Sequence, residues 1–533
     1  MATSDPPIPP FGTEDAPAPL NTARPLREED YLDDEVGDED AGLLEEEKVR
    51  RTSRPRAGSI MSFDFSNRLL LQASEDVEQS IGGRENKSEK ISLISGIALI
   101  VGLTIGSGIF ASSGVVARET GSVNSSLFVW LGAGLLSWAG GSSFAELGTM
   151  LPQNGGAQVY LQAAYGALPS YCFSFTAVTA LKPGSQAIAG EYICRVLWHT
   201  AFSDDPQQAA RGVPTAAIKG VAITSLLLVS ALQAWSTKAG TRAQIATTAF
   251  KVIAIVAVFV AGLVYLGLGK IASSFSFEGS THNATGYALA LFSALWAYDG
   301  FDQANYVARD CQPGALPKMI NISLATIVVL FLLANVAYFI VLPFEVATAT
   351  STIALDYGRQ IAGPVGALFF ALIVGISCLG ALNSSLYTSS RLVVAAGEQG
   401  FLPRTFSNYN QKRHTPVNGI LLSSSLSTIF ILLGDFSNLT LFYGVCAWTW
   451  NLLVVVSLLV LRVREPKLKR PYRTYLATPI LFASTALFLL VLSCFSKPYQ
   501  SAAAFAFCGA GTIPYYFQVR RKERENSEPV EMS

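Results

Sequence analysis

One glycine-rich stretch stands out within the apolar segment of residues 91–120. Gly102, Gly106, Ser107 and Gly108 lie together near its centre. Because each glycine costs a helix about 1 kcal/mol relative to alanine, the pattern predicts a broken helix. A break at bilayer depth is tolerated only where the freed backbone groups face protein or a water-filled cavity. The second half-helix would offer free N–H groups and a positive dipole end to a carboxylate, and Ser107 adds a hydroxyl donor.

A second apolar stretch, residues 286–310, carries two carboxylates beside a glycine. These are Asp299 and Asp302, on either side of Gly300. Each charged side chain at membrane depth costs about 2.5–3.5 kcal/mol on insertion scales. A purely structural explanation would need a partner for both carboxylates. The pattern favours a helix that is broken at Asp299–Gly300 and faces an aqueous cavity.

The two predicted breaks have complementary chemistry. Carbonyls exposed at the ends of the first half-helices, near Ile105, Trp296 and Ala297, would accept hydrogen bonds from an α-ammonium group. Trp296 and Phe301 flank the second break, where they would close over a ligand or contact its side chain. The sequence therefore predicts a site for a small solute with a carboxylate and an amine.

Two lysines and a glutamate also lie within predicted spans. Lys251 lies too deep in apolar surroundings for its ammonium to reach water, so we predict that it contacts the broken first span in place of a sodium ion. Lys182 lies beside the helix-breaking Pro183, and its role stays open. Glu146 would pair with a basic loop or act in gating.

These residues need a membrane scaffold, and the composition provides one. Of the 533 residues, 50% are hydrophobic and 14% are charged, against roughly 25% charged in ordinary soluble domains. Apolar runs of about 20 residues, the length that crosses a bilayer, follow one another from residue 91 onward. The sequence predicts an all-α polytopic membrane protein with twelve spans, at 93–117, 125–150, 170–198, 216–235, 244–268, 285–308, 319–342, 361–390, 417–434, 438–461, 477–495 and 500–518. Residues 154–167 are too polar to span.

The interrupted spans, the first and the sixth, occupy corresponding places in two halves of five spans. This pattern is typical of inverted-repeat transporters, whose site lies where the halves meet. The predicted membrane domain covers residues 91–518. Repeat one covers about 91–268, repeat two about 285–461, and the last two spans about 477–518.

The two ends of the chain are predicted to be cytoplasmic tails. Residues 1–90 are acidic, rich in Pro and Ser and without apolar periodicity, so we expect them to be disordered. Residues 519–533 form a shorter tail. With the N-terminus inside, the short inner loops carry fourteen Lys and Arg residues and the outer loops seven, as the positive-inside rule requires.

The remaining chemistry-bearing residues predict no catalytic or metal site. The seven cysteines form no CxxC pair and no disulfide framework, and the three histidines are scattered. Motifs of hydrolases, metalloproteases and nucleotide-binding loops are absent from the sequence. We expect no enzyme activity, no cofactor and no nucleic-acid partner; the partners expected are the lipid bilayer and the solute.

Four motifs in order resemble the L-type amino-acid transporters, the light-chain family of the amino acid–polyamine–organocation superfamily. They are IVGLTIGSGIF (100–110), FAELGTMLPQNGG (144–156), WAYDGFDQANYV (296–307) and SCLGALNSSLYTSSR (377–391). The tract REPKLKRPY (464–472) is similar as well. The resemblance runs from about residue 91 to 518. It implies twelve helices in a five-plus-five inverted repeat, and sodium-independent transport or exchange of L-amino acids.

The resemblance also implies roles for single residues. Trp296 would be the gating aromatic, and Lys251 matches the family's fifth-span lysine. Ala297 and Asp299 would belong to the unwound part of the sixth span. The substrate's carboxylate and amine would be held by Ile105, Gly106, Ser107 and Gly108.

Two departures from the family pattern are informative. Animal members bind a glycoprotein heavy chain through a cysteine after the third span, but residues 199–214 contain none. We therefore expect no disulfide-linked heavy chain, and the long tail suits a fungal-type member. In the pocket, Asp299 resembles members that accept basic amino acids and cystine along with neutral ones. We expect broad neutral selectivity with acceptance of cationic amino acids.

Two alternatives remain open at the level of sequence. The same fold could carry a polyamine or another organic cation, which the carboxylates of the sixth span would favour. The protein could instead be an amino-acid sensor that signals through the N-terminal tail. We expect the plasma membrane as its location, with the vacuole or another endomembrane as the alternative.

Overall fold

The structure is a computed structural model that describes residues 90–202, 213–350, 352–410, 413, 415–433 and 436–518. The predicted N-terminal tail up to residue 89 and the C-terminal tail 519–533 lie outside the described residues. So do residues 203–212, which make up most of the loop without cysteine. The seven cysteines are all described, and none forms a disulfide.

Helices make up most of the described chain, and the only β-type pairing there is an isolated bridge between Ile91 and Cys311. Sixteen α-helices follow in order. They are α1 (Leu93–Thr104), α2 (Gly108–Thr120), α3 (Val123–Met150), α4 (Ala157–Tyr165), α5 (Ala167–Thr176), α6 (Lys182–Phe202), α7 (Thr215–Trp235), α8 (Thr237–Gly267), α9 (Ala284–Ala297), α10 (Ala315–Val341), α11 (Phe344–Ala349), α12 (Ile353–Glu398), α13 (Val417–Leu433), α14 (Phe436–Arg464), α15 (Ala477–Ser496) and α16 (Pro498–Ala510). A π-helical turn, Ala177–Leu181, joins α5 to α6, and 3₁₀ segments lie at Gln303–Asp310 and Arg404–Ser407.

Seven of the described helices are long and apolar enough to cross a membrane. They are α3, α7, α8, α10, α12, α14 and α15, and the bent pair α1–α2 is an eighth candidate. The described part of the chain is therefore a polytopic helical membrane domain. The other predicted spans are short or interrupted, as in α9 with 14 residues and α13 with 17. The count of twelve spans and the inverted repeat stay predictions.

Polar residues at the ends of the apolar runs set several helix boundaries. The Ser92 hydroxyl accepts a hydrogen bond from the Ser95 N–H at the start of α1. At the start of α3 the Ser122 hydroxyl accepts one from the Ser125 N–H. The Asn283 side chain caps α9 through the Thr285 N–H, at 3.0 Å. Such caps satisfy N–H groups that have no partner within the helix.

Some helix boundaries differ from the predicted spans, as in α8, which begins at Thr237 rather than at residue 244. The predicted eighth span begins at residue 361, whereas α12 begins at Ile353 and is kinked at Ala362 and Gly363, just before Pro364. Proline removes a backbone donor and disfavours helical geometry in the residue before it, which explains the kink. Residues 154–167, predicted not to span, contain the nine-residue helix α4. Its Tyr160 hydroxyl donates to Asn305 Oδ1 at 2.8 Å.

Candidate functional site

The first span is broken where its glycines cluster. Helix α1 ends at Thr104 and α2 begins at Gly108, and the two axes are bent by 46°. A Cβ atom at Gly108 would lie only 2.6 Å from the Cα of Ala297 in the second break. Since backbone atoms cannot move aside as a flexible side chain can, this close approach requires glycine.

The second span is broken at Asp299–Gly300. Helix α9 ends at Ala297, and Gly300 has a φ of +118°, which side-chain-bearing residues rarely adopt. A Cβ there would lie 2.9 Å from the Thr104 hydroxyl oxygen. The chain continues as the 3₁₀ segment Gln303–Asp310 rather than as an α-helix. The two breaks therefore lie directly against each other.

A cavity opens beside the two breaks. It is bordered by the end of α1 and the start of α2, by the end of α9, and by residues of α6, α12 and α14. The first N–H groups of α2 have no carbonyl one turn earlier within their own helix. This helix start and its dipole make the wall formed by Gly106, Ser107 and Gly108 suited to an anion.

Six of the eight residues predicted to bind the substrate line this cavity, and two do not. The six are Gly106, Ser107, Gly108, Trp296, Ala297 and Asp299. Ile105 and Phe301 are buried elsewhere. The Phe301 ring packs edge-on against Phe144 and Phe482, with ring centroids 5.5 and 5.8 Å away. The structure thus gives Phe301 aromatic packing partners rather than a place in the cavity wall.

Lys251 on α8 lies against the first break. Its side chain is only 1% exposed, and its ammonium donates to the carbonyl oxygens of Gly102 and Ile105, at 2.6 and 2.8 Å. The Ser377 hydroxyl also donates to the Ile105 carbonyl, at 2.9 Å. Because a carbonyl oxygen has two lone pairs, these two donors leave the Ile105 oxygen no free acceptor position for a substrate ammonium.

Asp299 is held in place by two donors. Tyr443 on α14 donates its hydroxyl to Asp299 Oδ2 at 2.5 Å, and the Gly300 N–H donates to Oδ1 at 2.9 Å. Tyr443 also lines the cavity. Sequence reasoning missed it, since aromatic residues in apolar spans usually pack in the core and the two partners are 144 positions apart.

Three small polar residues of the cavity wall were also missed: Thr104, Ser185 and Ser385. The Thr104 hydroxyl is buried and has no hydrogen-bond partner among the described residues. A buried hydroxyl without a partner costs free energy, so a ligand that supplied one would be stabilised there. The signal was available in the sequence, because Thr104 lies between Gly102 and Gly106.

Glu146 pairs with a basic loop, one of its two predicted roles. Its buried carboxylate accepts from Arg462 Nε at 3.0 Å and from the Thr474 N–H at 2.8 Å. Arg462 Nη2 and Arg470 Nε lie at 2.5 and 3.7 Å from the same carboxylate. The contacts join α3 to the end of α14 and to the segment before α15.

A helical membrane fold with a cavity between two helix breaks is typical of transport proteins, and comparison with known proteins gives the family. The amino acid permease family matches residues 91–514. This chain belongs to that family.

Several curated transporters resemble the chain over most of its length. It is 31% identical over 477 residues to the human b(0,+)-type amino acid transporter 1, covering 87% of this chain and 96% of the relative. It is 30% identical to the human cystine/glutamate transporter, covering 80% and 84%. It is also 30% identical to the mouse large neutral amino acids transporter small subunit 2, covering 83% of each.

These relatives confirm the resemblance drawn from the motifs. They are light-chain amino acid transporters rather than enzymes, and this chain is an integral membrane protein of the same family. The fungal-type assignment stays a prediction.

Proposed function

We propose that this protein is a sodium-independent secondary transporter of L-amino acids that works by exchange or proton-linked uptake. The observation that carries the proposal is the cavity at the contact of the two helix breaks, with a helix N-terminus on one wall and a carboxylate on another. A free amino acid has one anionic and one cationic group, and these walls complement both.

The α-carboxylate binds at the start of α2, where Gly106, Ser107 and Gly108 supply donors. The α-ammonium binds near the carbonyls at the end of α9, at Trp296 and Ala297. Trp296 closes over the bound substrate as the gate. Ile105 contributes to this site indirectly, because hydrogen bonds from Lys251 and Ser377 fix its carbonyl at the first break. Phe301 contributes by packing against Phe144, which stabilises the second break.

Lys251 carries the sodium independence in this proposal. A sodium ion at the first break would be coordinated by freed carbonyl oxygens. The Lys251 ammonium donates to two such oxygens, of Gly102 and Ile105, and so places its positive charge at that position. Uptake then needs no sodium gradient.

Asp299 broadens the substrate range to cationic side chains. Its carboxylate lines the cavity, and the attraction between it and a lysine, arginine or ornithine side chain is strong at low local dielectric. The names of the relatives mention neutral, cystine and glutamate substrates. We infer broad neutral selectivity with acceptance of cationic amino acids.

Uptake into proteoliposomes tests the proposal. Labelled leucine, methionine and arginine should each enter in sodium-free buffer and compete with one another. Asp299→Gly should lose arginine uptake and keep leucine uptake, because only arginine uses the carboxylate. Equal loss of both would reject the selectivity assignment, and no uptake of any amino acid by the wild-type protein would reject the function.

A polyamine or other organic cation is the second candidate substrate, favoured by the presence of Asp299 and Asp302 near one cavity. Uptake of labelled spermidine that leucine does not inhibit would support it. An amino-acid sensor acting through residues 1–90 is the third candidate; binding of leucine without uptake would favour it.

The remaining proposals concern architecture and location. We propose twelve spans in a five-plus-five inverted repeat, both termini in the cytoplasm, and the plasma membrane in preference to an endomembrane. We also propose that no heavy chain is attached by a disulfide. Cysteine labelling from each side of the membrane tests the topology, and non-reducing electrophoresis of the protein from its native membrane tests the last point.

A further inference from the structure

A buried lysine that the transport site does not use lies next to it. Lys182 directly follows the π-helical turn Ala177–Leu181, and its N–H donates to the Ala177 carbonyl five residues earlier. Pro183 explains the wider turn, because proline has no N–H and its ring clashes with the carbonyl four residues before it. Single π turns within α-helices are frequent at functional sites.

Lys182 lines a second cavity that adjoins the first. The two share the lining residues Leu103, Ser185, Asp299, Ser385 and Tyr443. The second cavity adds polar and charged side chains, among them Lys182, Asp302, Gln303 and Asn451. Next to the substrate cavity there is therefore a second one whose walls carry charges of both signs.

The Gln303 amide lies between the lysine and the Asp302 carboxylate. Lys182 Nζ donates to Gln303 Oε1 at 3.1 Å, and Gln303 Nε2 donates to Asp302 Oδ1 at 2.6 Å. The amide thus presents its oxygen to the cation and its NH₂ group to the carboxylate, which satisfies both. Among the described residues, no carboxylate forms a salt bridge with Lys182 within 4.0 Å.

The position of the ammonium is fixed by two further contacts. Lys182 Nζ lies 3.5 Å from the Thr388 hydroxyl oxygen and 4.0 Å above the centroid of the Tyr306 ring. Thr388 also donates to Gln303 Oε1, at 2.7 Å. Because α6, α12 and the segment after the second break all contribute, the charge is held at one place beside the cavity.

The charges on this wall do not cancel. Asp299 and Asp302 carry two negative charges and Lys182 one positive charge, so their formal sum is −1. A fixed charge in a partly desolvated cavity changes the free energy of a charged ligand while leaving an uncharged side chain nearly unaffected. The lysine therefore changes the binding free energy of a substrate with a cationic side chain more than that of a substrate with a neutral one.

We propose that Lys182 sets the ratio in which cationic and neutral amino acids are accepted, by offsetting the negative charge of Asp299 and Asp302 across the second cavity. This proposal rests on the proposed amino-acid transport. Without the lysine, the sum of charges becomes −2 and arginine gains relative to leucine. Without the Asp302 charge, the sum becomes 0 and arginine loses.

A double-mutant cycle in proteoliposomes tests this idea through the ratio of arginine to leucine uptake. Lys182→Met should raise the ratio by about tenfold, equivalent to about 1.4 kcal/mol, and Asp302→Asn should lower it by a similar factor. The double variant, which restores a sum of −1, should return close to the wild-type ratio. Lys182→Arg keeps the charge and should keep the ratio.

Each outcome separates the proposals. If both amino acids lose uptake equally in Lys182→Met, the lysine is structural and the idea is overturned. If Lys182→Met does not fold, the comparison is made between Asp302→Asn and the double variant. The double variant must have the higher ratio of arginine to leucine uptake, and an unchanged ratio overturns the idea. If the wild-type protein carries neither amino acid, the failure lies with the proposed function instead.

Discussion

The contact between Lys251 and the first break gives a prediction that can be worked out in magnitude. In Lys251→Met the Gly102 carbonyl loses its ammonium donor, and the Ile105 carbonyl keeps only Ser377. An unsatisfied buried carbonyl costs about 1–3 kcal/mol. Removing a buried charge meanwhile relieves its desolvation cost, so the free energy of unfolding should change little.

The cost should instead fall on transport. The orphaned carbonyls favour rewinding of the first span, which closes the anion-binding wall at Gly106–Gly108. If about 2 kcal/mol of the carbonyl cost is borne by the substrate-binding arrangement, leucine uptake falls by about 30-fold. The assay is initial-rate leucine uptake in proteoliposomes, in sodium and in choline buffer, together with the thermal unfolding midpoint.

A matched control is Lys318→Met, the same substitution at an exposed lysine on α10, which should leave uptake and unfolding unchanged. Uptake by Lys251→Met within threefold of the wild type would refute the reasoning about the carbonyls. Wild-type uptake that depends on sodium would refute the assignment of Lys251 as a replacement for the ion.

Three further predictions follow from contacts described above. Gly108→Ala should abolish uptake of all amino acids, because its Cβ would lie 2.6 Å from the Ala297 Cα. The control Gly132→Ala should keep uptake, since a Cβ there would have no atom within 4 Å. Retained uptake in Gly108→Ala would contradict the close approach. Glu146→Ala should lower the free energy of unfolding by about 3–5 kcal/mol, measured by thermal unfolding, since the Arg462 guanidinium loses its carboxylate partner. Thr104→Val should raise the KM for leucine about two- to tenfold if the hydroxyl bonds the substrate; an unchanged KM with higher stability would place the substrate elsewhere.

The positions of the two breaks could be predicted from the sequence. An apolar helix is destabilised by the glycines at 106 and 108, and equally by Asp299 beside Gly300. This unfavourable free energy by itself indicates where each helix ends. The contact of Lys251 with the first break was predictable for the same reason. A lysine too deep to reach water needs acceptors, and a broken helix supplies carbonyls.

The partners across the cavity could not be predicted in the same way. Tyr443 and Lys182 reach the site only because α14 and α6 pack beside the breaks, and nothing in their local sequence records that packing. The 3₁₀ geometry after Gly300 was missed as well, since residues 303–310 contain no proline or glycine to mark it. Ile105 was expected to offer its carbonyl to substrate, and its competing donors come from α8 and α12.

The contact between Gly108 and Ala297 has a consequence for the genetics of this protein. A clash with a side chain can be relieved by shortening that side chain. A Cβ at Gly380 would lie nearest to the Thr247 hydroxyl oxygen, at 2.8 Å, so variants at Gly380 should yield second-site suppressors at Thr247. At Gly108 the nearest atom is the Ala297 Cα, which every amino acid possesses. No substitution at 297 can restore the space, so revertants of a Gly108 variant should be true revertants to glycine.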